Sequence, residues 1–223
     1  MQRIDSMNTA TTKRLQEIFE LLTAEYGRRN KWWSESKDEI VIGAILTQNT
    51  NWLNVEKSLA NLRAAEKLSL AALAEADAAE VAELIRPSGY HNKKSRVLID
   101  LSQAISNYQG ACSIVDFRPW LLSLKGIGPE TADSILLYGY QLPIFVIDAY
   151  TIRIFSRLGL CSARITYHEL QNWFMQHLPP ETDLYREYHA LLISHAKTFC
   201  LKKPKCAACP LKAICLFAKD LSL

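Results

Sequence analysis

The sequence predicts an all-α protein, and three observations carry that reading. Apolar residues recur at helical spacing in nearly every segment of the 223-residue chain. The single β-like run, residues 142–147, is short, carries Pro143 near its start and reads as an extended connector. The turns between apolar stripes hold the helix-ending residues Gly and Pro.

Taken in order, Leu15, Ile18, Phe19 and Leu22 form the first stripe, and Ile40, Val41, Ala44 and Ile45 the second. Residues 52–62 carry Val55, Leu59 and Leu62 at the same spacing. Further helices are expected over 81–85, 97–105, 120–124, 132–138, 149–158, 167–177 and 184–199. Pro87 and Gly89 end one helix, and Gly126, Gly128 and Pro129 make a tight turn. Thr166 and Thr182 are expected N-caps; Thr182 has Tyr185 three residues on, so it forms no capping box. Residues 61–85, rich in alanine and acids, read as a solvated helical face.

Composition narrows the function classes. Of the residues 49% are apolar and 22% charged, which suits a packed core and excludes a disordered chain. No apolar run approaches the ~18 residues of a membrane span. The polar start shows no secretory signal, so a cytoplasmic, nucleoid-associated protein of bacterial or archaeal type is expected, with no membrane partner. Six cysteines in such a chain do not suggest a disulfide scaffold. The formal net charge is +3, but six lysines and one acid after residue 196 give the tail +5 and leave −2 for the rest. A lysine-rich end suits a polyanion, although charge alone equally fits a solvated tail.

Three constellations carry chemistry. In Leu124-Lys125-Gly126-Ile127-Gly128-Pro129-Glu130-Thr131-Ala132 a helix ends, two glycines allow close approach of the backbone to a ligand, and Pro129 opens the next helix. Unpaired N–H groups at that helix start would face an anion, phosphate being the natural one, in the pattern of a helix–hairpin–helix that grips a DNA backbone. Secondly, in Val146-Ile147-Asp148-Ala149-Tyr150, Asp148 follows an apolar run and starts a helix, compatible with both a cap and a partly buried catalytic carboxylate. Thirdly, Cys200-x5-Cys206-x2-Cys209-x5-Cys215 places four thiols in sixteen residues, enough for zinc or a [4Fe–4S] cluster. The long outer spacings make one loop and favour the cluster. Cys112 and Cys161 read as small apolar residues.

The hairpin, the aspartate and the cysteine loop occur in the order seen in the endonuclease III family of DNA glycosylases, which the chain resembles over residues 15–215. Ala44-Ile45-Leu46-Thr47-Gln48-Asn49-Thr50 and Ser88-Gly89-Tyr90-His91-Asn92-Lys93-Lys94 look like that family's two DNA-probing loops. The resemblance implies two helical domains with DNA crossing the groove between them. One, residues 30–142, is a six-helix barrel with the helix–hairpin–helix at about 117–138. The other, residues 1–29 and 143–223, is discontinuous and carries a [4Fe–4S] loop at 200–215. It assigns Gln48, Asn49 and Tyr90 to the interrupted duplex, Gln48 filling the gap of the flipped nucleotide. Lys125, Gly126, Gly128, Lys202 and Lys203 fall to the phosphates, and Asp148 to catalysis.

One departure is informative. Bifunctional members carry a lysine two residues after the second hairpin glycine, where this chain has Glu130. A carboxylate cannot form the Schiff base that leads to strand cleavage. Lys125 is the nearest substitute, but its expected direction is toward phosphate. The expectation is therefore a monofunctional base excision repair glycosylase, a monomer acting on double-stranded DNA with a damaged base. Asp148 would stabilise the sugar cation and activate water, with Glu130 either a second carboxylate or a dipole-stabilising first-turn acid.

Trp32, Trp33 and Trp52 lie close to the first probing loop. With Leu46-Thr47-Gln48-Asn49-Thr50 they resemble 3-methyladenine DNA glycosylase III, a branch without the lysine nucleophile and without a cysteine loop. Electron-poor alkylpurines stack well on indole, which makes 3-methyladenine the first expected substrate. Core packing is the competing use of an indole here. The alternatives are a uracil or thymine mismatch glycosylase, reading the pyrimidine edge through Asn49, Asn51 or Asn54, and a non-catalytic DNA-binding module. Asp148 speaks against the last. Lys197 and His195 of the last long helix are further candidates for the pocket or the DNA.

Overall fold

The structure, a computed structural model, describes residues 2–28 and 36–220. All regular elements among these are helices. The chain divides into two compact units, Met1–Asn30 with Pro143–Leu223, and Lys31–Leu142. No helix among the described residues is long and apolar enough to cross a membrane.

The Lys31–Leu142 unit holds α2 (Lys37–Leu46), α3 (Trp52–Ala64), α4 (Leu70–Ala74), α5 (Ala78–Leu84), α6 (His91–Ser106), α7 (Ile114–Ser123) and α8 (Pro129–Ser134). Residues 70–84 form two short helices because Ser69 and Asp77 each cap a fresh start with a side-chain oxygen. α4, α5 and α2 all pack on α6, and the buried Leu73, Val81, Ile42, Leu98 and Leu101 belong to this core. The acidic stretch is therefore solvated on one face only. α7 begins at Ile114, six residues before the expected start, behind the N-cap Ser113, which accepts from the Asp116 amide. Pro119 inside it hid the helix from a sequence reading. The expected helix 132–138 is α8 followed by a π-helical turn, Ile135–Gly139.

The discontinuous unit holds α1 (Gln2–Tyr26), α9 (Ala149–Leu158), α10 (Tyr167–His177), α11 (Thr182–Thr198) and α12 (Leu216–Asp220). Residues 141–148 form no helix or strand: Gln141 is left-handed with φ +55°, and the apolar, Pro-containing run after it connects to Asp148. The core is aromatic: Phe145 stacks on Phe174 at 4.0 Å, and Tyr185, Tyr188 and Phe155 meet them edge-on. Such pairs add about 0.5–1.5 kcal/mol each beyond area burial. The Tyr188 hydroxyl donates to the Leu15 carbonyl at 2.9 Å, tying α1 to α11 across the sequence. Thr166 caps α10 in a full capping box with Glu169. Thr182 is not a cap: Glu181 holds that position without a side-chain bond, and Thr182 is already helical.

Candidate active site and nucleic-acid interface

The hairpin is built by its glycines. Gly126 has φ +90°, and a Cβ there would lie 2.6 Å from Val97, so both the backbone and the space demand glycine. Gly128 precedes Pro129 as N-cap of α8, with nothing near the place of a side chain. Lys125 and Glu130 are exposed on either side of the turn. Behind it the Arg118 guanidinium donates twice to the fully buried Asp133 carboxylate, at 2.6 and 3.0 Å, locking α7 to α8.

One of the two other sequence-predicted loops meets this hairpin directly. The Gln48 amide donates to the Gly126 carbonyl at 3.1 Å and to the Thr131 hydroxyl at 3.0 Å. Next to it Asn49 has φ +52°, and in the second loop Tyr90 has φ +47° with 69% of its surface exposed. Left-handed backbone at non-glycine residues is uncommon and gathers at functional sites. Lys94 joins the loops from below. Only 3% exposed, its Nζ donates to the Leu46 carbonyl at 2.7 Å, the Ser88 carbonyl at 2.8 Å and the Thr50 hydroxyl at 3.1 Å. The Thr50 hydroxyl itself donates to the Ser88 carbonyl.

In the other unit, Asp148 is the N-cap of α9. Its Oδ1 accepts from the Thr151 amide at 2.7 Å and the Thr151 hydroxyl at 2.8 Å. Its Oδ2 lies 3.6 Å from Nε2 of the buried His189. Burial pushes this carboxyl up, but the His189 imidazole and the Thr151 hydrogen bonds outweigh it and hold it below the ordinary carboxylate range. It is a carboxylate at neutral pH, capped on one oxygen and facing an imidazole with the other.

The four C-terminal cysteines line one cavity together with His195, Arg157 and Pro204. All are free; Cys200 and Cys215 are buried, Cys206 and Cys209 half-buried. Among the described residues no three His, Cys, Asp or Glu side chains converge on a single-ion point. Burial pushes the Cys209 thiol up to about 11. Arg157 Nη1 donates to Cys200 Sγ at 3.3 Å, and His195 Nε2 lies 3.7 Å from Cys209 Sγ. Two arginines of α9 hold the loop: Arg153 donates to the Cys200 carbonyl at 2.9 Å, and Arg157 to the Leu201 and Lys202 carbonyls at 2.6 and 3.0 Å. Lys202 and Lys203 are exposed beside it.

Other expectations change. His195 is 1% exposed and faces the cysteines and Tyr26, whereas Lys197 is exposed. Asn51 spends its side chain capping α3 through the Asn54 amide. Trp52 is half-buried, its indole N–H donating to Glu56 at 2.8 Å. Trp32 and Trp33 lie outside the described residues. Sequence reading named Lys94 only as the last residue of the second probing loop and passed over His189, Arg153 and Arg157, because a lone lysine, histidine or arginine in a helical pattern carries no local signal of its partner.

Residues 42–180 match the family model of the HhH-GPD superfamily base excision DNA repair protein. The chain belongs to this family: it is a base excision DNA glycosylase, a hydrolase of N-glycosyl bonds with DNA as substrate. It is 41% identical over 210 residues to a Methanocaldococcus jannaschii protein described as a DNA repair glycosylase, covering 91% of this chain and 96% of that one. A thymine-DNA glycosylase of Aeropyrum pernix is 30% identical over 207 residues, covering 86% and 88%. Among solved structures, 3-methyladenine DNA glycosylase (MagIII) of H. pylori bound to 1,N6-ethenoadenine superposes with a TM-score of 0.70 at 31% identity, covering 85% of this chain and 97% of that one.

Proposed function

We propose that the protein is a monofunctional glycosylase that hydrolyses the glycosidic bond of a flipped alkylated purine, 3-methyladenine first, and leaves the strand intact. The observation that carries the reading is Glu130. It stands exposed in the first turn of the hairpin helix, where a bifunctional relative would need a nucleophilic lysine. Asp148 is left as the reacting carboxylate. Its ionised form stabilises the developing sugar cation, and Oδ2 accepts a proton from attacking water, with His189 facing the same oxygen. A cationic base is a good leaving group and asks little more. The likeness to the H. pylori enzyme supports the alkylpurine substrate.

In this reading Gln48 leaves its hairpin partners to enter the duplex, and Asn49 and Tyr90 follow it from the loop tips. Gly126, Gly128 and Lys125 take the phosphates, with Lys202 and Lys203 on the cysteine loop. Glu130 then serves as a first-turn acid, and Trp52, Trp32 and Trp33 as stacking surfaces. The donor set of Cys200, Cys206, Cys209 and Cys215 lines one cavity, and its long outer spacings, which make one loop, favour a [4Fe–4S] cluster over zinc. When bound, the cluster fixes the lysine loop and does no chemistry on the base. Purified protein is expected to be brown with about four irons per chain; one zinc and no iron would refute the assignment.

A second reading, a mismatch glycosylase for uracil or thymine, is favoured by the Aeropyrum pernix relative. A panel of duplexes bearing single methylated or deaminated bases separates the two. Release of methyladenine and not of uracil or thymine supports the first; the reverse pattern installs the second.

A further inference from the structure

We propose that Lys94 is a positioning residue whose ammonium fixes the spacing of the two duplex-probing loops and thereby sets how strongly the protein prefers an interrupted duplex to an intact one. The inference rests on the reading of those loops as DNA-probing. Its physical ground is the arrangement beneath them. Lys94 closes the first turn of α6 with all three ammonium protons used. Leu46 and Thr50 bracket Gln48 and Asn49, while Ser88 lies two residues before Tyr90. One buried point therefore holds both loops, and the Thr50–Ser88 bond closes the triangle. Leu46 also ends α2, so the cation answers one of that helix's open carbonyls.

Every acceptor is neutral, so a buried cation is retained without a carboxylate among its bonded partners. A leucine or methionine would fill the space at less cost in stability. A neutral amine has two protons and cannot make the three bonds, so loss of the proton frees one loop contact. The elements packed on α6 carry Lys37, Asp38 and Glu39 on α2, Glu80 and Glu83 on α5, and Arg86 in the Arg86–Ser88 turn. α6 itself carries His91, Lys93, Arg96 and Asp100. Burial alone pulls Lys94 down, to about 8.

The test measures affinity for a duplex with a tetrahydrofuran abasic analogue and for the same duplex undamaged, so it needs no knowledge of the natural base. Lys94→Met is expected to lower the preference for the interrupted duplex by about tenfold while changing the undamaged affinity by less than about threefold. Equal loss on both duplexes, or no loss, would overturn the proposal. Should the variant not fold by circular dichroism, wild-type protein decides. Its preference is expected to fall between pH 7 and 9 with a midpoint near 8, and a flat profile overturns the proposal. A wild type with no preference at pH 7 would instead refute the loop reading, and the proposal with it.

Discussion

In the proposed mechanism Asp148 combines two duties that usually compete. Its Oδ1 is spent on the Thr151 amide and hydroxyl, which fixes the carboxylate on the end of α9, and Oδ2 remains for chemistry beside His189. Asparagine caps a helix about as well as aspartate but carries no charge. Asp148→Asn is therefore expected to keep the fold and its affinity for DNA, with a melting temperature lowered by the lost carboxylate beside His189, and to lose at least about a hundredfold in single-turnover base release. Unchanged release would remove the residue from the mechanism. The sign of its pH dependence follows from a carboxyl held below the ordinary value. Its stabilising contribution is complete above the usual carboxylate range of about 4 and is lost only as pH falls through the lowered value. Lys94 has the opposite sign. Its depressed pKa destabilises the fold below about 8 and relaxes as pH rises toward the ordinary value of 10.5. A damage preference lost above pH 8 would therefore not reflect unfolding through this group.

At the scale of elements, α9 links the candidate carboxylate to the cysteine loop: Asp148 caps its start, and Arg153 and Arg157 hold the loop from its later turns. In the Lys31–Leu142 unit the corresponding link is Gln48, which ties the first loop to the hairpin. In the proposed reading its two hydrogen bonds are exchanged when it moves into DNA. Gln48→Ala should slow base release more than it weakens binding to undamaged duplex; equal loss of both would make it a support for the fold alone. These links also mark what a sequence reveals. The helices 149–158 and 167–177 and the Thr166 cap were legible, because periodicity and caps are local signals. The Asp148 cap was legible for the same reason. Lys94 was not, since its acceptors lie 6, 44 and 48 residues away and two of them are backbone carbonyls. Thr182 misled because Glu181, directly after two prolines, already supplies the extended residue that starts α11.

For the whole molecule, the first loop, the hairpin and Lys94 lie in one unit, while Asp148 and the four cysteines lie in the other, which α1 completes from the far end of the sequence. A return of this kind leaves no periodic trace; it came from the family resemblance. The class of the enzyme rests on membership of the HhH-GPD family, and the central claim beyond it is hydrolysis without a lysine nucleophile. The most direct measurement is borohydride trapping on a duplex from which wild-type protein releases the base, with the strand resolved before and after alkali. The account predicts no covalent adduct and a strand cut only after alkali, whereas Glu130→Lys, which restores an amine at that position, gives a trapped adduct. Efficient trapping by the wild-type protein, with cleavage before alkali, would contradict it.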